Sequence, residues 1–152
     1  MLRLSVLDNF GLPNLSRFSS LGWIRQGAIR KSWAEYARAL RIKVPHERQP
    51  VMHLSGGNQQ KVVLAKWLER NAEIIVFDEP TRGIDVGAKY EIYVLINRLA
   101  ARGKAVLMIS SELPEILGMS DRILVMHEGR QCDIISDDQI TEERIIQLAS
   151  GM

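Results

Sequence analysis

Ile74-Ile75-Val76-Phe77-Asp78-Glu79-Pro80-Thr81-Arg82-Gly83-Ile84-Asp85-Val86-Gly87 is the stretch on which the fold turns. Its first four residues form a short, wholly apolar run, the pattern of a strand buried on both faces. Two carboxylates follow at once, and a proline and a glycine then break the extended chain. In open α/β sheets ligands collect at the carboxyl ends of strands, so Asp78 and Glu79 stand where chemistry is usually done. Side chains alternate along an extended chain, which directs the two acids to different jobs. One suits a magnesium ion held through water, the other an attacking water that needs a general base. A lone Asp-Glu pair after a strand is more often a turn cap beside a solvated acid, but this pair has company.

Downstream, Ala105-Val106-Leu107-Met108-Ile109 is a second buried-strand run. Between the two, Ala88, Ile92, Leu95, Ile96 and Leu99 mark a helix that ends at Gly103. Strand, crossover helix and strand make a parallel pair with a right-handed connection. A short helix over 113–117 follows, then a strand over 123–126, a turn at His127-Glu128-Gly129-Arg130 and a returning strand over 131–135. Thr141 caps a last helix with Ile145, Ile146 and Leu148 on its apolar face.

Upstream, Gly56 precedes Asp78 by 22 residues within Leu54-Ser55-Gly56-Gly57-Asn58-Gln59-Gln60-Lys61. This segment opens a helix over 59–70 that offers Val62, Val63, Ala65, Trp67 and Leu68 for burial. With Ser55 as cap and two glycines beside it, the helix start admits an anion close to its amides. Taken alone, a Ser-Gly-Gly turn reads as an ordinary loop-to-helix junction. Further back, Ser32 and Glu35 have the spacing of a capping box, and Trp33, Tyr36, Ala37 and Leu40 give an amphipathic helix stopped by Pro45. Residues 1–31 read as loop and short helices. No internal repeat or low-complexity tract is present.

Composition narrows the function classes. With 152 residues, 46% of them apolar, the chain can bury a core. Its single Cys132 forms no internal disulfide, and His46, His53 and His127 have neither each other nor cysteine at ligand spacing. Residues 1–50 carry nine Lys/Arg against three Asp/Glu, and residues 51–152 eleven against fifteen. The basic first part suits nucleic acid, anionic headgroups or an acidic partner, but its scattered charges read first as a solvated helical surface. No apolar run approaches the ~20 residues that cross a bilayer, so a membrane role would be peripheral. Met108, Met119 and Met126 read as core filler, and Lys61 and Arg82 as solvated.

In order and spacing, LSGGNQQK, IIVFDEPTRGIDVG and MISSELPEI resemble the signature motif, the Walker B strand with its D-loop, and the switch region of an ABC transporter ATPase domain. The form with Asn58-Gln59-Gln60-Lys61, together with EPTRGIDVGAK and SSELPEIL, resembles the second ATPase domain of the double-domain subunits that energise import of ribose, galactose or xylose. The resemblance implies ATP and Mg²⁺ as cofactors. Ser55, Gly56 and Gly57, with Asn58 and Gln59 beside them, would meet the γ-phosphate of an ATP held on an opposite, head-to-tail ATPase domain. Asp78 takes the place of the magnesium-organising aspartate, Glu79 of the general base and Asp85 of the D-loop residue that crosses the interface. Ser111 stands where most relatives have the switch histidine, which implies a slow or silent site. For Ser111, a cap on the helix that follows is an equal alternative.

The phosphate-cradling pattern G-x-x-x-x-G-K-[ST] does not occur in the chain. The implied fold is therefore α/β: a partial P-loop NTPase-like ABC ATPase core of parallel strands, crossover helices and a C-terminal hairpin, with an N-terminal helical subdomain and the P-loop strand missing. Residues 1–53 would be the helical subdomain and 54–152 the distal core, in a chain that begins just after the P-loop, the adenine-stacking sheet and the Q-loop. The implied function is the truncated ATP-hydrolysing component of a monosaccharide importer, peripheral on the cytoplasmic face of the membrane. It would be bound to a permease subunit and never in contact with the sugar. Two alternatives stand beside it: a non-catalytic interaction module or gene remnant, and a soluble ABC-type protein acting on nucleic acid. The second is disfavoured because the basic segment lacks interleaved aromatics, Trp23, Trp33 and Tyr36 being assigned to packing.

Overall fold

The computed structural model describes residues 1–151, which divide into two compact units, Met1–Val76 with Pro80–Leu107, and Phe77–Glu79 with the chain from Met108 onward. In the first unit the chain runs through helix α1 (Val6–Gly11), a 3-10 turn, and α2 (Leu15–Phe18). The two-residue strands β1 (Ser19–Ser20) and β2 (Trp23–Ile24) follow, then α3 (Gln26–Ala39) and α4 (Gly56–Leu68). Ser5 caps α1, its hydroxyl accepting from the Asp8 amide. The core gathers around Phe10, which is fully buried with its ring 5.7 Å from Trp33 and 5.6 Å from Tyr36. Val6, Ile29, Val62 and Ala65 complete this layer between α1, α3 and α4.

Among the described residues no buried side-chain polar atom lacks a partner, as expected when water is excluded. Asn14 donates to the carbonyls of Phe10 (3.0 Å) and Lys66 (2.8 Å), tying the 3-10 turn to the end of α4. The buried Glu69 carboxylate accepts from the Ser32 hydroxyl at 2.6 Å and pairs with Arg17 at 3.2 Å. Ser32 is therefore no capping residue. The helix begins six residues earlier, at Gln26, and the Ser32 hydroxyl serves a partner 37 residues away. Of the apolar residues on α4, Val62, Leu64 and Ala65 are buried, whereas Trp67 is 54% exposed. Trp23 too lies outside the core.

Strand β3 (Ile74–Asp78), helix α5 (Val86–Ala101) and strand β4 (Ala105–Ile109) fall where the apolar runs place them, and β3 pairs with β4. The Ala105 amide donates to Glu73 O and the Glu79 amide to Ile109 O, both at 2.9 Å, so the two strands run in the same direction. Burial on both faces is not found. Phe77 is buried, but Ile74 and Val76 on β3 and Leu107 and Ile109 on β4 are about half exposed or more. Alternate residues of a two-stranded pair point to opposite faces, and among the described residues one of those faces has no covering layer.

The second unit holds α6 (Leu113–Met119), the antiparallel hairpin β5 (Arg122–His127) and β6 (Arg130–Ser136), and α7 (Glu142–Ala149). Ile123, Val125, Ile135 and Ile145 form its core. The hairpin turns through Glu128 and Gly129 at φ 46° and 76°, a pair that matches the twist of the flanking strands. Thr141 caps α7 as read, accepting from the Arg144 amide. His127 is bonded through Nδ1 to Ala149 O at 2.7 Å, which ties the end of α7 to β5. Met126 is exposed instead of filling the core.

Candidate nucleotide-contacting faces

Ser55, Gly56, Gly57, Asn58, Gln59 and Asp85 come together in the first unit. Ser55 occupies the N-cap position of α4 in extended conformation, but its side chain caps no amide. Its hydroxyl instead accepts from Asn58 Nδ2 at 2.9 Å, and Asn58 Oδ1 in turn accepts from the Lys43 amide at 2.8 Å. Gln59 donates to Leu54 O at 2.9 Å. The amide side chains thus brace the turn, while the first backbone bond of the helix is the Gln59 amide to Ser55 O. The first-turn amides carry no side-chain cap, the condition in which a helix start attracts an anion.

The two glycines differ. A Cβ on Gly56 would meet only Gly83 O, at 3.6 Å, whereas a Cβ on Gly57 would stand 2.9 Å from the Ala88 methyl. Gly57 lets the start of α5 close on the start of α4. Asp85 caps α5 through Oδ1, 2.9 Å from the Ala88 amide, so the same residue anchors the segment that Gly57 admits. A cavity of about 260 Å³ adjoins the junction, lined in part by Gly56, Gln59, Arg82 and Gly83. Lys61, read as solvated, is buried and pairs with Glu91 on α5, and Arg41 lies 3.9 Å from that carboxylate. No local pattern announces this pair, whose members are 30 residues apart. Arg82 is exposed, as read.

Asp78, Glu79 and Ser111 belong to the second unit. Asp78 ends β3 with an exposed side chain. Glu79 sits at φ 47°, in the left-handed region, so the extended alternation of the strand stops at Asp78. A non-glycine residue there costs on the order of 1 kcal/mol, and the Glu79–Ile109 backbone bond holds it. That bond sets Glu79 beside the strand end leading to Ser110 and Ser111. The capping alternative for Ser111 is not found, since α6 has Glu112 at its N-cap and no side-chain cap bond; the neighbouring Ser110 Oγ accepts from the Glu112 amide at 3.0 Å and donates to the buried Glu115 at 2.5 Å. Ser111 itself is exposed. Among the described residues no three His, Cys, Asp or Glu side chains converge as a metal cage. An exposed aspartate with hydroxyls nearby in the chain still fits magnesium, which keeps several waters and takes one or two protein carboxylates plus phosphate.

A family model described as "ABC transporter" matches residues 3–82, more than half of the chain. The chain belongs to the ABC transporter family. Over 151 residues this ABC transporter chain is 50% identical to a ribose import ATP-binding protein of Geobacillus kaustophilus, covering 99% of the chain and 31% of that protein. It is 52% identical over 148 residues to a xylose import ATP-binding protein of Thermoanaerobacter pseudethanolicus, covering 97% of the chain and 29% of that protein. The chain spans 28–31% of the length of the curated relatives it matches. Its fold matches a dimeric ATP-binding cassette bound to ADP and Pi in a post-hydrolysis state. That match has a TM-score of 0.75 and 25% identity, and covers 90% of the chain and 58% of the cassette. The architecture is accordingly mixed α/β, that of part of an ABC ATPase core, with a parallel pair and an antiparallel hairpin. Among the described residues no helix is long and apolar enough to cross a membrane.

Proposed function

We propose that this chain supplies one phosphate-gripping face of the ATP-hydrolysing component of a monosaccharide importer, working against a second ATPase domain arranged head to tail. The observation that carries the reading is the Gly57–Ala88 approach, which packs the start of α4, whose first-turn amides carry no side-chain cap, against the segment after Asp85. Those amides, with Ser55, would receive the γ-phosphate of an ATP whose β and γ phosphates are cradled by the partner domain. Asp85 would stand at the interface. Asp78 would hold magnesium, which supplies charge neutralisation on the phosphates. Glu79 would take the proton of the attacking water, and Ser111 would stand at the switch position without a histidine's capacity to share that proton. We assign residues 1–53 to the helical subdomain that meets a membrane permease, which places the assembly on the cytoplasmic membrane face.

The test is to add the chain to an intact, P-loop-containing ATPase domain of a sugar importer and follow ATP turnover. A rise that depends on chain concentration and is lost in Gly57→Val supports the reading. A fall in turnover would favour the second reading, a non-catalytic module that occludes the partner's face, which the lack of a G-x-x-x-x-G-K-[ST] pattern in the chain supports. No change in either direction contradicts both.

A further inference from the structure

Within the segment assigned to the helical subdomain, the β1–β2 hairpin presents an apolar tip to which no contact with nucleotide is assigned. Its two-residue turn holds Leu21 at φ 50° and Gly22 at φ 81°. Glycine and asparagine suit the first of these positions, and a leucine there is strained. Leu21 is nevertheless 98% exposed, and the neighbouring Trp23 81%. Ile24 is half exposed. The base of the hairpin is firm. The Arg25 amide donates to Phe18 O at 2.8 Å, and Phe18 is buried against the Phe10 ring. Strain and hydration cost are thus both accepted at one spot, on an anchored support.

Charge gives the surroundings a sign. Residues 9–34 contain Arg17, Arg25, Arg30 and Lys31 and no aspartate or glutamate. Arg17 and Arg30 are paired with Glu69 and Glu47. Arg25 donates to the Arg17 carbonyl, a neutral acceptor, and Lys31 is exposed. We propose that this tip inserts into the surface of an anionic lipid bilayer, with Leu21, Trp23 and Ile24 entering the headgroup boundary and Arg25 and Lys31 meeting lipid phosphates. Tryptophan settles at that boundary because one part of the ring is apolar and the N–H stays wet, and basic residues beside it add attraction to anionic lipid. Three apolar residues at the end of a turn, in a stretch that contains no acid of its own, complement a soft negative surface. The proposal stands apart from the ATPase reading, and its test contains no nucleotide.

In the full chain carrying Trp67→Phe, Trp23 becomes the exposed tryptophan, Trp33 being buried. Vesicles of equal parts phosphatidylcholine and phosphatidylglycerol should shift its emission to the blue, and brominated acyl chains should quench it. Co-sedimentation should weaken roughly tenfold or more with phosphatidylcholine alone, and likewise in Arg25→Gln/Lys31→Gln. Leu21→Asn/Trp23→Ser should lose binding with unchanged far-UV circular dichroism, since asparagine suits the turn better than leucine. Unquenched Trp23 on anionic vesicles, or equal sedimentation of the tip variant and the parent chain, overturns the lipid assignment and leaves a protein as the occupant of the tip.

Discussion

Gly57→Ala is the substitution whose outcome the structure specifies most tightly. The added Cβ would stand 2.9 Å from the Ala88 Cβ, against the 3.5–4.0 Å at which carbon atoms pack, so the shortfall is about 0.6–1.1 Å. Neither methyl can swing aside, and α5 must move. Overpacking of this kind costs about 1–3 kcal/mol, and alanine's better helix propensity returns at most about 1 kcal/mol. A net loss of about 1–2 kcal/mol lowers the melting temperature by roughly 2–8 °C in a chain of this size. Gly56→Ala is the internal control, because its Cβ meets only ordinary contact at 3.6 Å. It should be neutral or slightly stabilising. Urea unfolding of both variants, and of Gly57→Ala combined with Ala88→Gly, gives a double-mutant cycle with a favourable coupling of about 1 kcal/mol. Equal stabilities of the two alanine variants, or strict additivity in the cycle, would refute the claim that Gly57 exists to admit α5.

Other expectations follow from the same packing. Ser32→Ala removes a hydroxyl that satisfies the buried Glu69 carboxylate, so urea unfolding should show a loss of about 1–3 kcal/mol, while exposed Ser20→Ala changes little. Lys61→Ala should cost a similar ~1–3 kcal/mol by opening the α4–α5 pair with Glu91, and Lys61→Met less, because it keeps the packed stem. Burial, and secondarily the Glu69 charge, raise the Tyr36 pKa above its ordinary value of 10.0. The unfolded chain then loses this proton first, so the stability contribution is complete below about pH 10 and is lost as pH rises through the folded-state pKa. Urea midpoints measured across that alkaline range should fall less steeply in Tyr36→Phe. Glu79→Gly should raise stability by about 0.5–1 kcal/mol, since glycine accepts the left-handed backbone that glutamate strains to hold.

Elements whose information is local were legible in the sequence. β3, β4 and α5 stand out because a short apolar run or a periodic apolar face needs no distant partner to be recognised, and Thr141 caps its helix as its residue type suggests, whereas the cap that Asp85 places on α5 was not read from the sequence. What depended on long-range partners was not legible. Ser32 has capping-box spacing yet spends its hydroxyl on Glu69, and Lys61 has the profile of a surface lysine yet is buried by Glu91. Ser110 and Ser111 are adjacent and identical in chemistry, and only the backbone path past Ile109 decides which of them bonds the Glu112 amide. The apolar composition of β3 and β4 suggested cover on both faces, but a strand's composition does not say how many layers its chain provides. For the candidate site, the sequence named the residues, while the reason for two unequal glycines emerged only from the distance to Ala88.

The central proposal is that the Ser55–Gly57 face meets the γ-phosphate of an ATP cradled by a second ATPase domain, so that turnover needs that second polypeptide face. Release of labelled phosphate from γ-labelled ATP by the purified chain alone, with magnesium and with the Glu79→Gln variant as the contaminant control, tests it directly. The account predicts rates indistinguishable between the two proteins and from background. Turnover of about 1 s⁻¹ or more by the chain alone, abolished in Glu79→Gln, would contradict it.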